Sequence, residues 1–155
     1  RSLEGFLFPD TYFFSPDVTE DQVIAVLAGA FRKQCLPLLS SATPRGKPLS
    51  TSELVTIASI VEKETAVPEE RPLVASVIYN RLAKGMKVQC DPTVIYARWL
   101  ETRSDDPVIY RSDLQRESPY NTYLYAGLPP GPVPAAGAQE GQTGYGQGAS
   151  GSFLR

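Results

Sequence analysis

The chain holds 155 residues, 42% of them apolar, which suits one domain with a genuine core and is too short for two large ones. Fifteen Lys and Arg against seventeen Asp and Glu leave a net charge of −2, so no cationic excess points to nucleic acid or an anionic membrane as partner. Histidine is absent, which removes Ser/His and Cys/His nucleophilic machinery and histidine-based metal sites together, so acid/base chemistry falls to carboxylates and no metal or cofactor is expected.

The opening run from Leu3 to Phe14 crowds Phe6, Phe8, Tyr12, Phe13 and Phe14 around a Pro9-Asp10 turn signal and reads as short extended segments whose rings enter a core. Tyr12 needs a polar neighbour for its hydroxyl. Thr19 with Gln22 has the spacing of a capping box and starts a helix whose apolar side is Val23, Ile24, Val26, Leu27, Ala30 and Phe31, ending near Cys35. From Leu36 to Lys47 the Ser, Thr, Pro and Gly content predicts a loop that tolerates insertions.

The next helix organises the chain. Ser50 and Glu53 form a second capping box, so the helix begins near Thr51. Leu54, Ile57, Ala58 and Val61 recur on one face, widened by Val55 and Ile60, which predicts burial of most of the circumference. Its last turn then carries Glu62 and Glu64. At roughly 100° per residue, Glu62 falls near Ala58 and Val55, and Glu64 between Ile57 and Ile60. Two residues apart on a helix, the carboxylates diverge and cannot converge on one bond as a hydrolase pair would. One of them acts alone, or both are carboxylates on a solvated helix end; helical geometry does not choose between them.

Pro68, with Glu69 and Glu70 in its first turn, begins another helix with a stripe of Leu73, Val74, Val77, Ile78 and Leu82, closed by Gly85 as a left-handed cap. The two helices make a hairpin about Ala66 and Val67, and Tyr79, Asn80 or Arg81 can reach the Glu64 corner only from a polar side turned toward it. Met86 to Gln89 is a strand candidate. Asp91 reads as the N-cap of a short helix with Pro92 at its first position and Val94, Ile95, Tyr96 and Trp99 behind it. Residues 101–117 read as a polar surface loop, followed by Tyr120-Asn121-Thr122-Tyr123 and the turn-rich Gly127 to Pro132. Cys35 and Cys90, without CxxC spacing, are expected as small buried apolar residues, with a disulfide between them left open for an oxidising compartment. Beyond Pro134 the Gly, Gln and Ser content predicts a disordered tail, giving a domain over 1–134 and a tail over 135–155. No signal peptide or spanning segment is expected, and the start at Arg1 suggests a piece excised from a longer protein.

Five blocks carry a resemblance: Glu4 to Tyr12 (EGFLFPDTY), Ala58 to Thr65 (ASIVEKET), Asn80-Arg81-Leu82, Gln89 to Tyr96 (QCDPTVIY), and Tyr120 to Tyr123 followed by Gly127-Leu128-Pro129-Pro130-Gly131. In this order they resemble the bacterial endolytic murein transglycosylases, the MltG or YceG-like family, over about Leu3 to Pro132. The resemblance implies an α+β fold with a lysozyme-like helical catalytic core and short β-strands, its C-terminal part missing or replaced after Pro134. It also implies cleavage of nascent peptidoglycan between N-acetylmuramic acid and N-acetylglucosamine, leaving a 1,6-anhydromuramic end.

Residue by residue, the resemblance makes Glu64 the catalytic acid, with Glu62 a supporting carboxylate. Gln89, Asp91, Tyr120, Asn121, Thr122 and Tyr123 are the candidates for glycan contact, through amides and hydroxyls for sugar hydrogen bonds and aromatic faces for pyranose packing. Each has a structural alternative as a turn or cap residue. The implied partners are peptidoglycan glycan strands and peptidoglycan synthases, at the extracytoplasmic face of the inner membrane, with membrane attachment through a segment outside this chain. Two other readings stand beside it: a hydrolysing muramidase with Asp91 as nucleophile or base, and an inactive glycan-binding module.

Overall fold

The computed structural model describes residues 3–41, 48–104 and 106–134; the tail expectation lies outside them, as does the 42–47 half of the expected 36–47 loop. The elements in order are α1 (Glu20–Gln34), α2 (Leu36–Ser41), α3 (Thr51–Glu64), a 3-10 turn (Pro68–Glu70), α4 (Arg71–Ala83), α5 (Asp91–Thr102) and α6 (Arg111–Leu114). The architecture is mostly helical, and the strands expected of an α+β fold are absent among the described residues. Where the sequence suggested a strand at Met86–Gln89, a single parallel bridge joins Lys87 to Gly127. The segment is too short to build a ladder, and its polar groups go to Arg81 of α4 and to Thr122 instead.

Both capping boxes form. Thr19 and Gln22 exchange bonds at the start of α1, and Ser50 and Glu53 do so at the start of α3, with Ser50 N donating to Glu53 Oε2 at 2.7 Å. Because α3 is apolar nearly all round, it is buried on two sides. Ile57, Ile60 and Val61 join Ile78, Val88, Cys90, Tyr96 and Val133 in one cluster. Leu54 and Val55 join Cys35 and Leu39 in the other, with Phe6, Phe8 and Phe31 packed on it. Ile57, Ile60 and Val61 are at most 1% exposed, and full burial of each such side chain contributes roughly 1.5–3 kcal/mol.

Several expectations are corrected. Leu36 to Ser41 is helical, because Leu36 and Leu39 have the second cluster to pack against despite the Ser content. By length and composition alone the run Glu20–Ser40 is apolar enough to cross a bilayer, a test that a core helix also passes, and Phe31, Cys35, Leu36 and Leu39 pack with Leu54 and Val55 of α3 in this fold. On α4 the inward side is Val74, Ala75, Ile78, Tyr79 and Leu82, while Leu73 and Val77 face outward. Residues 101–117 are not one loop: α5 runs to Thr102, and α6 holds a buried Asp113 in an ion pair with Arg98 at 2.8 Å. The expectation of small buried apolar cysteines holds: Cys35 and Cys90 are free, buried and in different clusters.

Candidate active site

α3 ends at Glu64 because Thr65 turns extended, at φ −142° and ψ 133°, while its amide still closes the helix on Val61 O. The buried Thr65 hydroxyl fixes the corner by donating to Glu70 Oε2 at 2.7 Å and accepting from Val67 N at 3.1 Å. This corner turns the chain from α3 through the 3-10 turn into α4, with the Glu64 side chain in the last residue of α3 beside it. Ile57 and Ile60, which flank it on the helix, are sealed in the core, while the Glu64 side chain is exposed. Its carboxyl is nonetheless pushed above the usual range, first by desolvation against the walls around it and then by the charge of Asp91, with Arg81 opposing both.

The groups around Glu64 come from three further segments. α4 ends in a Schellman cap, with Met86 N donating to Arg81 O at 2.8 Å and Gly85 N to Leu82 O at 3.1 Å, and Gly85 takes the left-handed φ of +66° that the cap requires. The chain then enters Val88–Gln89–Cys90. Gln89 holds φ +53°, a region costly for a residue with a β-carbon, and is pinned there by its own N–H to Thr122 O at 3.1 Å. Next to it, Cys90 N donates to Thr122 Oγ1 at 3.0 Å. Desolvation first, and then the Glu64 charge, push the Cys90 thiol up to about 12, so it stays a neutral wall of the site.

Asp91 does not cap α5. Cys90 is the N-cap, and Asp91 is the first helical residue, followed by Pro92. The Cys90 carbonyl takes the Thr93 hydroxyl at 2.6 Å, which leaves the Asp91 carboxylate free to accept from the Tyr123 hydroxyl. Tyr123 is pushed up to about 12 by desolvation, by that bond and by the nearby charges of Asp91 and Glu64. The structure thus gathers Glu64, Asp91, Tyr123 and Arg81, with Gln89 exposed one residue from Cys90.

The other glycan-contact candidates have inward tasks. Asn121 is fully buried, its amide donating to the carbonyls of Asp113, Leu114 and Arg116 at 3.3, 3.2 and 2.8 Å, while its Oδ1 accepts from Tyr123 N at 2.9 Å. Thr122 is buried and pairs with Thr93 Oγ1 at 2.8 Å. Tyr120 packs edge-on against Tyr96 with ring centroids 4.8 Å apart. Sequence reasoning left Arg81 among three alternatives, and nothing in the local spacing could show that its guanidinium would cross to the Val88 carbonyl.

A helical domain whose central helix ends in a carboxyl near an Asp–Tyr pair defines a class, and the match of most of the chain agrees with it. The YceG-like family model matches residues 1–140, and the chain belongs to that family. It is 41% identical over 136 residues to the endolytic murein transglycosylase of Bacillus subtilis (strain 168), a match covering 87% of this chain and 36% of the relative. The endolytic murein transglycosylase of Streptococcus pneumoniae (serotype 2, strain D39 / NCTC 7466) is 41% identical over 135 residues, covering 84% of this chain and 24% of that one. The crystal structure of a YceG-like protein from Listeria monocytogenes superposes with a TM-score of 0.71 at 38% identity, covering 88% of this chain and 43% of the other. The chain therefore spans about a quarter to a third of the length of the curated relatives it matches.

Proposed function

We propose that this chain is the lysozyme-like catalytic region of an endolytic murein transglycosylase, with Glu64 acting first as acid and then as base. The observation that carries the reading is the Glu64 carboxyl in the last residue of α3, held above its usual pKa by desolvation and by the Asp91 charge. A raised pKa keeps a larger share of Glu64 protonated near neutrality, as donation to a glycosidic oxygen requires. The bond from the muramic anomeric carbon to that oxygen breaks as the proton arrives. The 6-hydroxyl of the same muramic residue then attacks the anomeric carbon, and its proton passes to the Glu64 carboxylate, which restores the acid. No water and no second nucleophile are needed.

In this reading Asp91 places negative charge beside the developing oxocarbenium ion, and Tyr123 fixes its orientation. Gln89 and Tyr123 offer the sugar contacts, with Tyr120 at their border, while Asn121 and Thr122 serve from inside by holding the loop. The substrate is peptidoglycan glycan strands in a cell-wall setting at the outer face of the inner membrane, and peptidoglycan synthases are the partners the resemblance suggests. The charge of Asp91 on Glu64 also supports a second reading, hydrolysis with Asp91 activating water.

The test is incubation of the parent and Glu64→Gln with uncrosslinked glycan strands, followed by mass spectrometry. Anhydro-ended fragments from the parent alone support transglycosylation by Glu64. Reducing muramic ends indicate the muramidase. Equal binding by both without cleavage by either indicates a glycan-binding module, and cleavage surviving in the variant removes Glu64 from the role.

A further inference from the structure

Arg81 grips the turn after α4 twice. Its backbone carbonyl takes Met86 N at 2.8 Å, and its half-buried guanidinium Nη1 donates to the carbonyl of Val88, a residue with no exposed surface. Between Val88 and α5 the chain has room for Gln89 and Cys90 only, so a hold on Val88 is a hold on both and on the start of the helix that carries Asp91. The opposite side of the same turn is held by Thr122, through Gln89 N and Cys90 N. A left-handed Gln89 persists when its surroundings over-determine it, and Arg81 and Thr122 are the two sides of that restraint.

The turn it holds packs on the end of α3 that carries the acid, Val88 and Cys90 sharing one core cluster with Ile60 and Val61. Glu64 is faced by Asp91 from α5 and Arg81 from α4, and its own charge is felt by Cys90 in the turn and Tyr123 in the following loop. On its own helix stand Glu62 and Lys63. Among the groups acting on Glu64, the cation is Arg81.

We propose that Arg81 is a positioning residue of this site: it ties α4 to the Val88–Asp91 turn and supplies the positive charge against which the Glu64 carboxyl is set. The inference rests on the reading of Glu64 as the acid. Arg81 touches no reacting atom in it. The guanidinium suits the task because it donates to the carbonyl while keeping a permanent charge.

Two measurements on the full chain test this. The first follows the Arg81 Nε resonance of the folded parent by NMR across the titration of the Glu64 carboxyl, with Glu64→Gln as control. The Arg81 signal is expected to shift with the Glu64 midpoint and to lose that transition in the control; a flat Arg81 signal overturns the proposal without any variant of Arg81 having to fold. The second is the pH–rate profile of strand cleavage. Cleavage by an acid falls as pH rises through its pKa, so neutral Arg81→Gln should carry this alkaline limb upward by about one pH unit, while Arg81→Lys keeps it near the parent. Coincident limbs in Arg81→Gln and parent overturn the proposal, as does an equal displacement in Arg81→Lys. Cleavage surviving in Glu64→Gln would instead remove the functional reading, and the resonance coupling would still report on Arg81.

Discussion

Glu64 combines an exposed side chain with a raised pKa, and this has a consequence for stability. Its ionised form is disfavoured in the fold relative to the unfolded chain, so the fold bears a cost wherever Glu64 is charged. That cost is fully present above the folded pKa and disappears below the unfolded value, near the ordinary 4.5. Glu64→Gln should therefore melt at a higher temperature than the parent at pH 7, with the difference closing as the pH falls to about 4. Thermal unfolding at the two pH values checks the sign; a larger gain at the acid end would contradict it. Asn121 has the opposite character, since it is sealed in and its amide serves three carbonyls. Asn121→Leu strands those acceptors and should cost about 3 kcal/mol in urea unfolding. The loop it organises carries Tyr123, so cleavage should fall in the same variant even where it remains folded.

Helix α3 owes its start to local chemistry and its persistence to the two cores it separates. Ser50→Ala removes the hydroxyl that accepts from Glu53 N at 3.2 Å and should destabilise by about 1 kcal/mol, measured as a lower denaturant midpoint at unchanged slope. The loss should leave the Glu64 end untouched, because the site sits a full helix length from the cap. At that far end the helix is shaped by Thr65, whose hydroxyl ties the corner to Glu70 and so sets where α4 departs. A capped helix thus delivers the carboxyl, and a side-chain bond beyond its last turn fixes the direction in which the rest of the site returns.

Across the whole molecule, the first and last described segments meet on α3. A β-carbon on Gly5, at φ +78°, would stand 2.8 Å from Pro132 Cγ and 2.9 Å from Val55 Cγ1. Tyr96 donates to the Glu4 carboxylate at 3.1 Å, and Val133 N donates to Ser59 Oγ at 3.0 Å. Gly5→Ala should therefore cost more than the usual left-handed penalty, about 2–3 kcal/mol, and lower the melting temperature by several degrees. A melting temperature equal to the parent's would mean that these ends are not joined on α3 in solution.

The parts whose causes are local are legible in the order of the residues. Cap chemistry set the starts of α1 and α3, the Gly85 turn closed α4, the apolar periodicity marked α3 as buried, and the ordered blocks from Glu4 to Gly131 indicated the family. Packing between elements sets which candidates stand near Glu64 and which turn inward. Asn121 and Thr122 carry the same polar groups whether they face a sugar or a carbonyl, and their spacing holds no record of which. Asp91 likewise reads as a cap until Cys90 takes that position and Tyr123 claims the carboxylate. Leu36 to Ser41 looked like loop because a short helix gains its stability from Leu54 and Val55 across the core rather than from its own residues. Arg81 joins Val88 and the field of Glu64 through contacts that exist only once α3, α4 and the turn before α5 have packed, because side-chain reach across elements is set by packing and not by order along the chain.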